Sequence, residues 1–270
     1  MDEHDGTPMG LLIFGCQQRA LRERAGLTQA ELASRVNYSE SHVRSVESGR
    51  RRPKPEYVRA VDEALGAQGL LKAAAEPIVQ LKYPAWFIRY VEAEAEAVKL
   101  YTYDNNLVNG LLQTDDYAYA VFRAQVPALD DDEIEAGVQA RLERQVLLTR
   151  KPAPTLGFVI EEWVLRRKIG GREVLKAQLD RLLEVGEMRN VSIQVMPMGC
   201  ETHAALEGPL TLLETLEGRN LAYVEGQFGS AFVTEPKDYS VLEQRYGVLR
   251  AQALSPEDSA TFIERLAGEL

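Results

Sequence analysis

Residues 27–52 read LTQAELASRVNYSESHVRSVESGRRR, and this stretch decides the fold of the first part of the chain. Thr28 has N-cap chemistry, and Glu31 three residues later completes a capping box, so a helix starts here. Leu32, Ala33 and Val36 recur at helical spacing and form its inner face. Ala33 is small where two helices must cross closely. Asn37 then stands where the chain must turn, and asparagine tolerates a positive φ better than other non-glycine residues. Ser39 caps a second helix in which Val43 and Val46 point inward. Glu40, Ser41, His42, Arg44 and Ser45 are left toward solvent. Gly49 closes that helix, and Arg50, Arg51 and Arg52 follow before Pro53 and Pro55 restart the chain.

Working outward, a supporting helix is expected over about 12–25, with Phe14, Leu21 and Ala25 on one face and Gln18 in a slot where leucine is more usual. Gly26 ends it. Downstream, Val58, Val61 and Leu65 make the inner stripe of a further helix. The pattern is a mainly α helix-turn-helix bundle over residues 10–67. Residues 1–9, acidic and polar, read as a disordered tail, the reverse of a signal peptide's start. Residues 68–79 read as a linker helix, and 80–270 as a separate α+β domain.

LTQAELASRV, SESHVRSVESG and RRRP together resemble the lambda-repressor-like (XRE-type) helix-turn-helix domain. That resemblance implies double-stranded DNA as partner, with the helix starting near Ser39 in the major groove. Its N-terminal residues then reach base edges: Glu40, Ser41, Arg44 and Ser45. Arg44 suits guanine O6 and N7, and Glu40 can accept from cytosine N4. Thr28, Gln29, Ser39, Ser48, Arg50 and Arg52 are placed to hold phosphates, which set register rather than specificity. The same resemblance implies an interhelical ion pair between Arg22 and Glu47. A bundle with a basic patch that binds only protein is the plainer alternative for this region.

Charge sharpens the reading. The chain of 270 residues carries a net −10, which alone argues against nucleic acid. Yet residues 17–59 hold ten Arg or Lys against five Glu, while residues 67–270 hold 21 basic and 31 acidic side chains. DNA senses the local field within about 10 Å at physiological salt, so a basic module on an acidic body still fits.

In the body, helices are expected over 83–95, 115–122, 130–149, 172–185, 238–253 and, after a Ser255 N-cap, 256–267, with strands at 98–103, 155–160, 191–196, 210–213 and 221–225. The last two pair as antiparallel strands around the turn 217–220. NNLVNGLLQTDDYAYAVF, VIEEWVLRRKIGG with the following QLDRL, and NVSIQVMPMG…HAALEGPLTLLE resemble the C-terminal domain of a large group of actinobacterial XRE-type regulators. That group shows proline before GLLQT, where this chain has Asn109. The resemblance implies transcriptional control and a small companion protein; a small-molecule effector at the C-terminal domain is the other regulator expected.

Chemistry elsewhere is thin. Cys200-x-x-His203 offers two metal-type residues where structural zinc needs four, so no metal is expected. Glu161 and Glu162 are neighbours at a strand end and should point apart. Trp86, Phe87, Tyr90, Tyr101 and Tyr103 line a pocket or an interface, or form core. With no phosphate loop and no nucleophile elbow, no cofactor and no enzyme activity are expected. Two cysteines in different domains imply reducing cytoplasm, no apolar run of 18 residues implies no membrane span, and DNA binding implies association with the nucleoid. The expected function is a homodimeric sequence-specific transcriptional regulator. The alternative is an antitoxin-like protein that sequesters a small partner and binds DNA for autoregulation.

Overall fold

The structure, a computed structural model, describes residues 9–79, 85–226 and 229–270. It divides into two units, one ending at Trp86 and one beginning at Phe87. The tail expected over residues 1–9 lies almost wholly outside the described residues, as do the Trp86 side chain and the start of the helix expected from residue 83.

The first unit is a helical bundle: α1 (Met9–Arg24), α2 (Gln29–Val36), α3 (Glu40–Glu47), α4 (Pro55–Ala64) and α5 (Leu70–Val79). Helices of eight residues such as α2 and α3 do not stand alone in water. Packing holds them. Leu32, Val43 and Val61 are fully buried around Tyr57 and Phe14, and each such side chain contributes about 1.5–3 kcal/mol by leaving water. The Thr28–Glu31 capping box is formed in both directions, Asn37 turns with φ 59°, and the Ser39 hydroxyl accepts from the His42 amide.

Four details add to or correct the sequence reading. Helix α1 begins at Met9, earlier than expected, and Ala25 is exposed. Gln18 is buried and donates to the Tyr57 hydroxyl at 2.8 Å, so the slot that lacks leucine joins α1 to α4 by a hydrogen bond. His42 does not face solvent. Its ring lies 4.6 Å from Tyr38 and 4.8 Å from Tyr57, because an aromatic wedge fills the gap between α3 and α4. Finally, α5 is no free linker: Leu71 and Ala75 are buried in the bundle core. The buried Asp62 carboxylate accepts from the Gly69, Leu71 and Lys72 amides at the start of α5, so α4 carries the cap of the next helix.

The second unit is α+β, as expected. Its elements are α6 (Ala85–Glu96), β1 (Ala97–Asp104), α7 (Asp115–Arg123), α8 (Asp131–Arg144) with a 3-10 turn to Leu148, β2 (Thr155–Glu161), α9 (Glu162–Arg166), α10 (Arg172–Gly186), β3 (Val191–Met196), β4 (Leu210–Thr215), β5 (Asn220–Gly226), β6 (Gly229–Val233), α11 (Pro236–Gln252) and α12 (Pro256–Gly268). One six-stranded sheet runs β3-β2-β1-β4-β5-β6. The three strands β1, β2 and β3 are parallel, and β4 to β6 are antiparallel. Strand β6 was not foreseen from the sequence.

Strand alternation splits the core in two. Leu100, Phe158, Ile160, Ile193, Val195, Leu213 and Tyr223 pack on one face with α7, α10 and α12. Tyr103, Val159, Met196, Leu212 and Ala222 pack on the other with α11. The free edge of β3 is closed by Leu254, whose amide donates to Val195 O at 2.9 Å, and by the Ser259 hydroxyl, which accepts from the Val195 amide.

Candidate nucleic-acid interface

In the first unit, α3 buries Val43, Val46, His42 and Glu47 and exposes Glu40, Ser41 and Arg44. Its pose is fixed from below. Arg22 on α1 donates from Nε to Glu47 Oε1 at 2.6 Å and from Nη2 to Oε2 at 2.9 Å, while Nη1 holds Leu27 O at 2.8 Å. Arg19 reaches the Glu47 carbonyl at 3.2 Å. Burial alone would raise the Glu47 carboxyl, but bonds from Arg22 and Gln29 and the charges of Arg22 and Arg19 outweigh it and hold it below the usual carboxylate value. The bond to Glu47 correspondingly raises the Arg22 guanidinium.

Gly15 lets α1 come this close. A Cβ there would lie 2.6 Å from Glu47 O and 2.7 Å from Val46 O. The sequence reading passed over this glycine, because helix spacing marks apolar stripes and not the absence of a side chain.

From the buried pair a polar chain runs to the surface. Gln29 Nε2 donates to Glu47 Oε2 at 2.8 Å, and Arg44 Nε donates to Gln29 Oε1 at 3.4 Å. Arg44 Nη2 then pairs with Glu40 at 2.5 Å. Glu40, Arg44 and Gln29 therefore form one exposed polar row, and Gln29, expected as a phosphate holder, is already engaged inside the protein. The Ser45 hydroxyl donates to Ser41 O at 2.8 Å and the Ser48 hydroxyl to Ser45 O at 3.1 Å. Thr28 and Ser39 serve as N-caps of α2 and α3. Past the helix, Gly49 takes φ 72°, and the amides of Arg50 and Arg51 both donate to Ser45 O, turning the arginine run back beside α3. Arg50 is exposed and Arg52 half-buried.

A family model described as a helix-turn-helix domain matches residues 13–75. That match supports a DNA-binding regulator. A second model, described as a domain of unknown function (DUF5753), matches residues 87–265, about two thirds of the chain. The chain belongs to the DUF5753 family. No curated protein and no solved structure matches it.

The DUF5753 unit resolves the other candidates. Cys200 and His203 do not converge: Cys200 Sγ lies 3.6 Å from Thr202 O, while His203 Nε2 meets Glu161 Oε1 at 2.7 Å. The His203 Nδ1 accepts from the Ala205 amide at 3.1 Å, so Nε2 carries the proton and donates. The Tyr103 hydroxyl donates to the same Glu161 oxygen at 2.9 Å. Glu162 turns away to Arg166 and the Met198 amide. Among the described residues no cluster of His, Cys, Asp or Glu suits a metal, and no helix is long and apolar enough to cross a membrane. The aromatic group divides across the sheet: Phe87 and Tyr90 stack at 5.0 Å on one face, and Tyr101 stacks on Tyr246 at 5.3 Å on the other.

Proposed function

We propose that this protein is a sequence-specific transcriptional regulator that reads the major groove with α3. The observation that carries the reading is the exposed Glu40–Arg44 row on a helix whose orientation is locked by the buried Arg22–Glu47 pair. Such a row presents a donor fork and an acceptor suited to base edges. Ser41 and Ser45 flank it as further base-facing positions. Thr28, Ser39, Ser48, Arg50 and Arg52 lie at the helix ends and the following turn, where phosphates pass. Gln29, bonded to Arg44 and Glu47, orients Arg44 instead of holding a phosphate.

One head covers too little DNA to be selective, so the acting form is a homodimer on two half-sites about one helical turn apart. The C-terminal unit is the regulatory part, answering to a companion protein or small effector, in the cytoplasm. A genome-wide occupancy map tests this, with Arg44→Ala as control. Loss of Arg44 should cost about 1–3 kcal/mol and relax preference at one base position. Arg50→Ala should weaken all sequences alike and flatten the salt dependence. If no duplex shifts the purified chain at low salt, the proposal fails.

A further inference from the structure

The sheet order reverses at β1. The parallel crossovers lead from β1 toward β2 and β3, and the chain then passes back to place β4 on β1's other side. In sheets of helices and parallel strands, ligands collect outside the carboxyl ends of the strands at such a reversal. Here one finds a cavity of 190 Å³ between the end of β1, the loop that follows it, α8, and the adjoining ends of β4 and β5.

The floor of this cavity is built rather than incidental. The loop 105–114 is tied on both sides: buried Gln178 of α10 holds the Thr114 amide and Leu112 O, each at 2.8 Å, and Gln145 holds Gln113 O at 2.7 Å. Asn109 accepts from the Leu111 amide and donates to Asp104, doing with its side chain the local fixing that a proline would do by its ring.

Two acceptors line the cavity in sequence. Asp104 accepts from the Thr102 hydroxyl at 2.5 Å and from Asn109 at 3.1 Å. Asn105 Oδ1 is buried and accepts nothing among the described residues. Glu225 of β5 adds a carboxylate to the same wall. The cations of the lining are already engaged, Arg144 lying over Phe87 and Tyr90 as well. Arg144 makes a bidentate pair with buried Glu94 of α6, both bonds 2.7 Å, and Arg141 donates to Gln113 and lies over Phe122. An aromatic side is supplied by Tyr90 and Tyr223, 4.3 Å apart.

We propose that this cavity binds a small organic cation, a protonated amine carried on a single ring, with the ammonium on Asp104 and Asn105 and the ring against Tyr90 and Tyr223. The size fits: an apolar cavity of about 150 Å³ takes benzene. The unpaired Asn105 Oδ1 beside the Asp104 and Glu225 carboxylates calls for a charged donor, and a ring on the ligand adds contact with the tyrosines. The regulatory meaning of the site rests on the effector reading above, but the binding itself does not.

The charge state adds a signature. Burial, with the Glu225 charge, pushes the Asp104 carboxyl up to about 7 against the bonds from Thr102 and Asn109. The other titratable groups on this cavity are Tyr103 and Tyr223 from the sheet, Tyr90 and, through Arg144, Glu94 from α6, and Arg141 and Arg144 from α8. Of these the tyrosines Tyr90, Tyr103 and Tyr223 are raised by burial and stay neutral. Acid therefore removes the negative charge of Asp104 that the ammonium needs.

The test is calorimetry on the full chain with benzylamine, benzyl alcohol and benzoate at pH 8 and pH 6. Benzylamine should bind best at pH 8, weaken about tenfold at pH 6, and lose at least tenfold in Asp104→Asn. If that variant does not fold, Asn105→Leu, which removes the second acceptor, should give the same loss. Benzoate binding as well as benzylamine, indifference to both variants, or no heat with benzylamine at millimolar concentration would overturn the proposal. A duplex-binding assay run with benzylamine separates the two readings: binding without change in DNA affinity sinks the effector role and leaves the site standing, whereas no binding sinks the site alone.

Discussion

Gln29 accepts from Arg44 at 3.4 Å with one end of its amide and donates to Glu47 at 2.8 Å with the other. It thus couples the exposed face of α3 to the buried ion pair that sets the helix angle. If this coupling orients Arg44, Gln29→Ala should lose affinity mainly for duplexes carrying the base that Arg44 reads. The salt dependence should keep its slope, since a neutral amide releases no counterion. A uniform loss across all duplexes, measured by titration at three salt concentrations, would instead mark Gln29 as a phosphate holder.

Glu47 makes an acid-sensitive joint. Its folded-state carboxyl is held below the usual value by Arg22, Gln29 and Arg19 against the cost of burial. A depressed carboxylate contributes stability that is present above the unfolded pKa, about 4.3, and is lost as pH falls through the folded value. Denaturant unfolding from pH 7 down to pH 3 should show the wild type losing stability over this window, with Glu47→Gln flatter. Arg22→Met strands the carboxylate in the core and should cost about 3 kcal/mol or more at pH 7.

Asp62 gives a separate test of where the first unit ends. Its carboxylate holds the Gly69, Leu71 and Lys72 amides. Asp62→Ala should destabilise the unit by about 0.5–2 kcal/mol, the usual worth of an N-cap. If α5 were a mere tether, the melting temperature would not move.

The helix-turn-helix was legible because its signals are local: Thr28 and Glu31 lie three residues apart, and Asn37 and Gly49 declare their positive φ by residue type. The β4–β5 hairpin was legible for the same reason, its turn built around Gly218. What escaped the reading depends on distant partners. Asp62 and Gln178 are polar residues whose burial is decided by amides on another element. His42 looked solvent-facing because histidine on a charged helix is ambiguous until Tyr38 and Tyr57 close around it. Glu161 gained His203 and Tyr103 only through the fold, 42 and 58 residues away along the chain. Strand β6, five residues beginning Gly-Ser, has no alternation to betray it.

Gly15 shows how tightly α3 is seated. A methyl group there meets the carbonyls of Val46 and Glu47 at under 3 Å, and neither carbonyl can yield without moving the end of α3. Gly15→Ala should therefore cost about 1–3 kcal/mol, the usual penalty for overpacking, despite the better helix propensity of alanine. The variant should also lose site preference in a binding titration more than it loses non-specific affinity. A gain in thermal stability would show that α1 and α3 are not in this close contact.

Glu40 poses the sharpest question about α3. It pairs with Arg44 at 2.5 Å, both side chains being exposed, so in water the pair contributes at most about 1 kcal/mol to stability. On the proposed reading its larger effect falls on DNA, where a carboxylate among phosphates is repulsive unless a base donates to it. Glu40→Gln removes that repulsion and frees Arg44 for any nearby phosphate. Non-specific affinity should rise and the slope of log K against log salt should steepen by about one unit, as for one added phosphate contact. The ratio of specific to non-specific affinity should fall at least tenfold. Paired titrations on a genomic site and a scrambled duplex would read both quantities; an unchanged ratio would place Glu40 outside the base-reading surface.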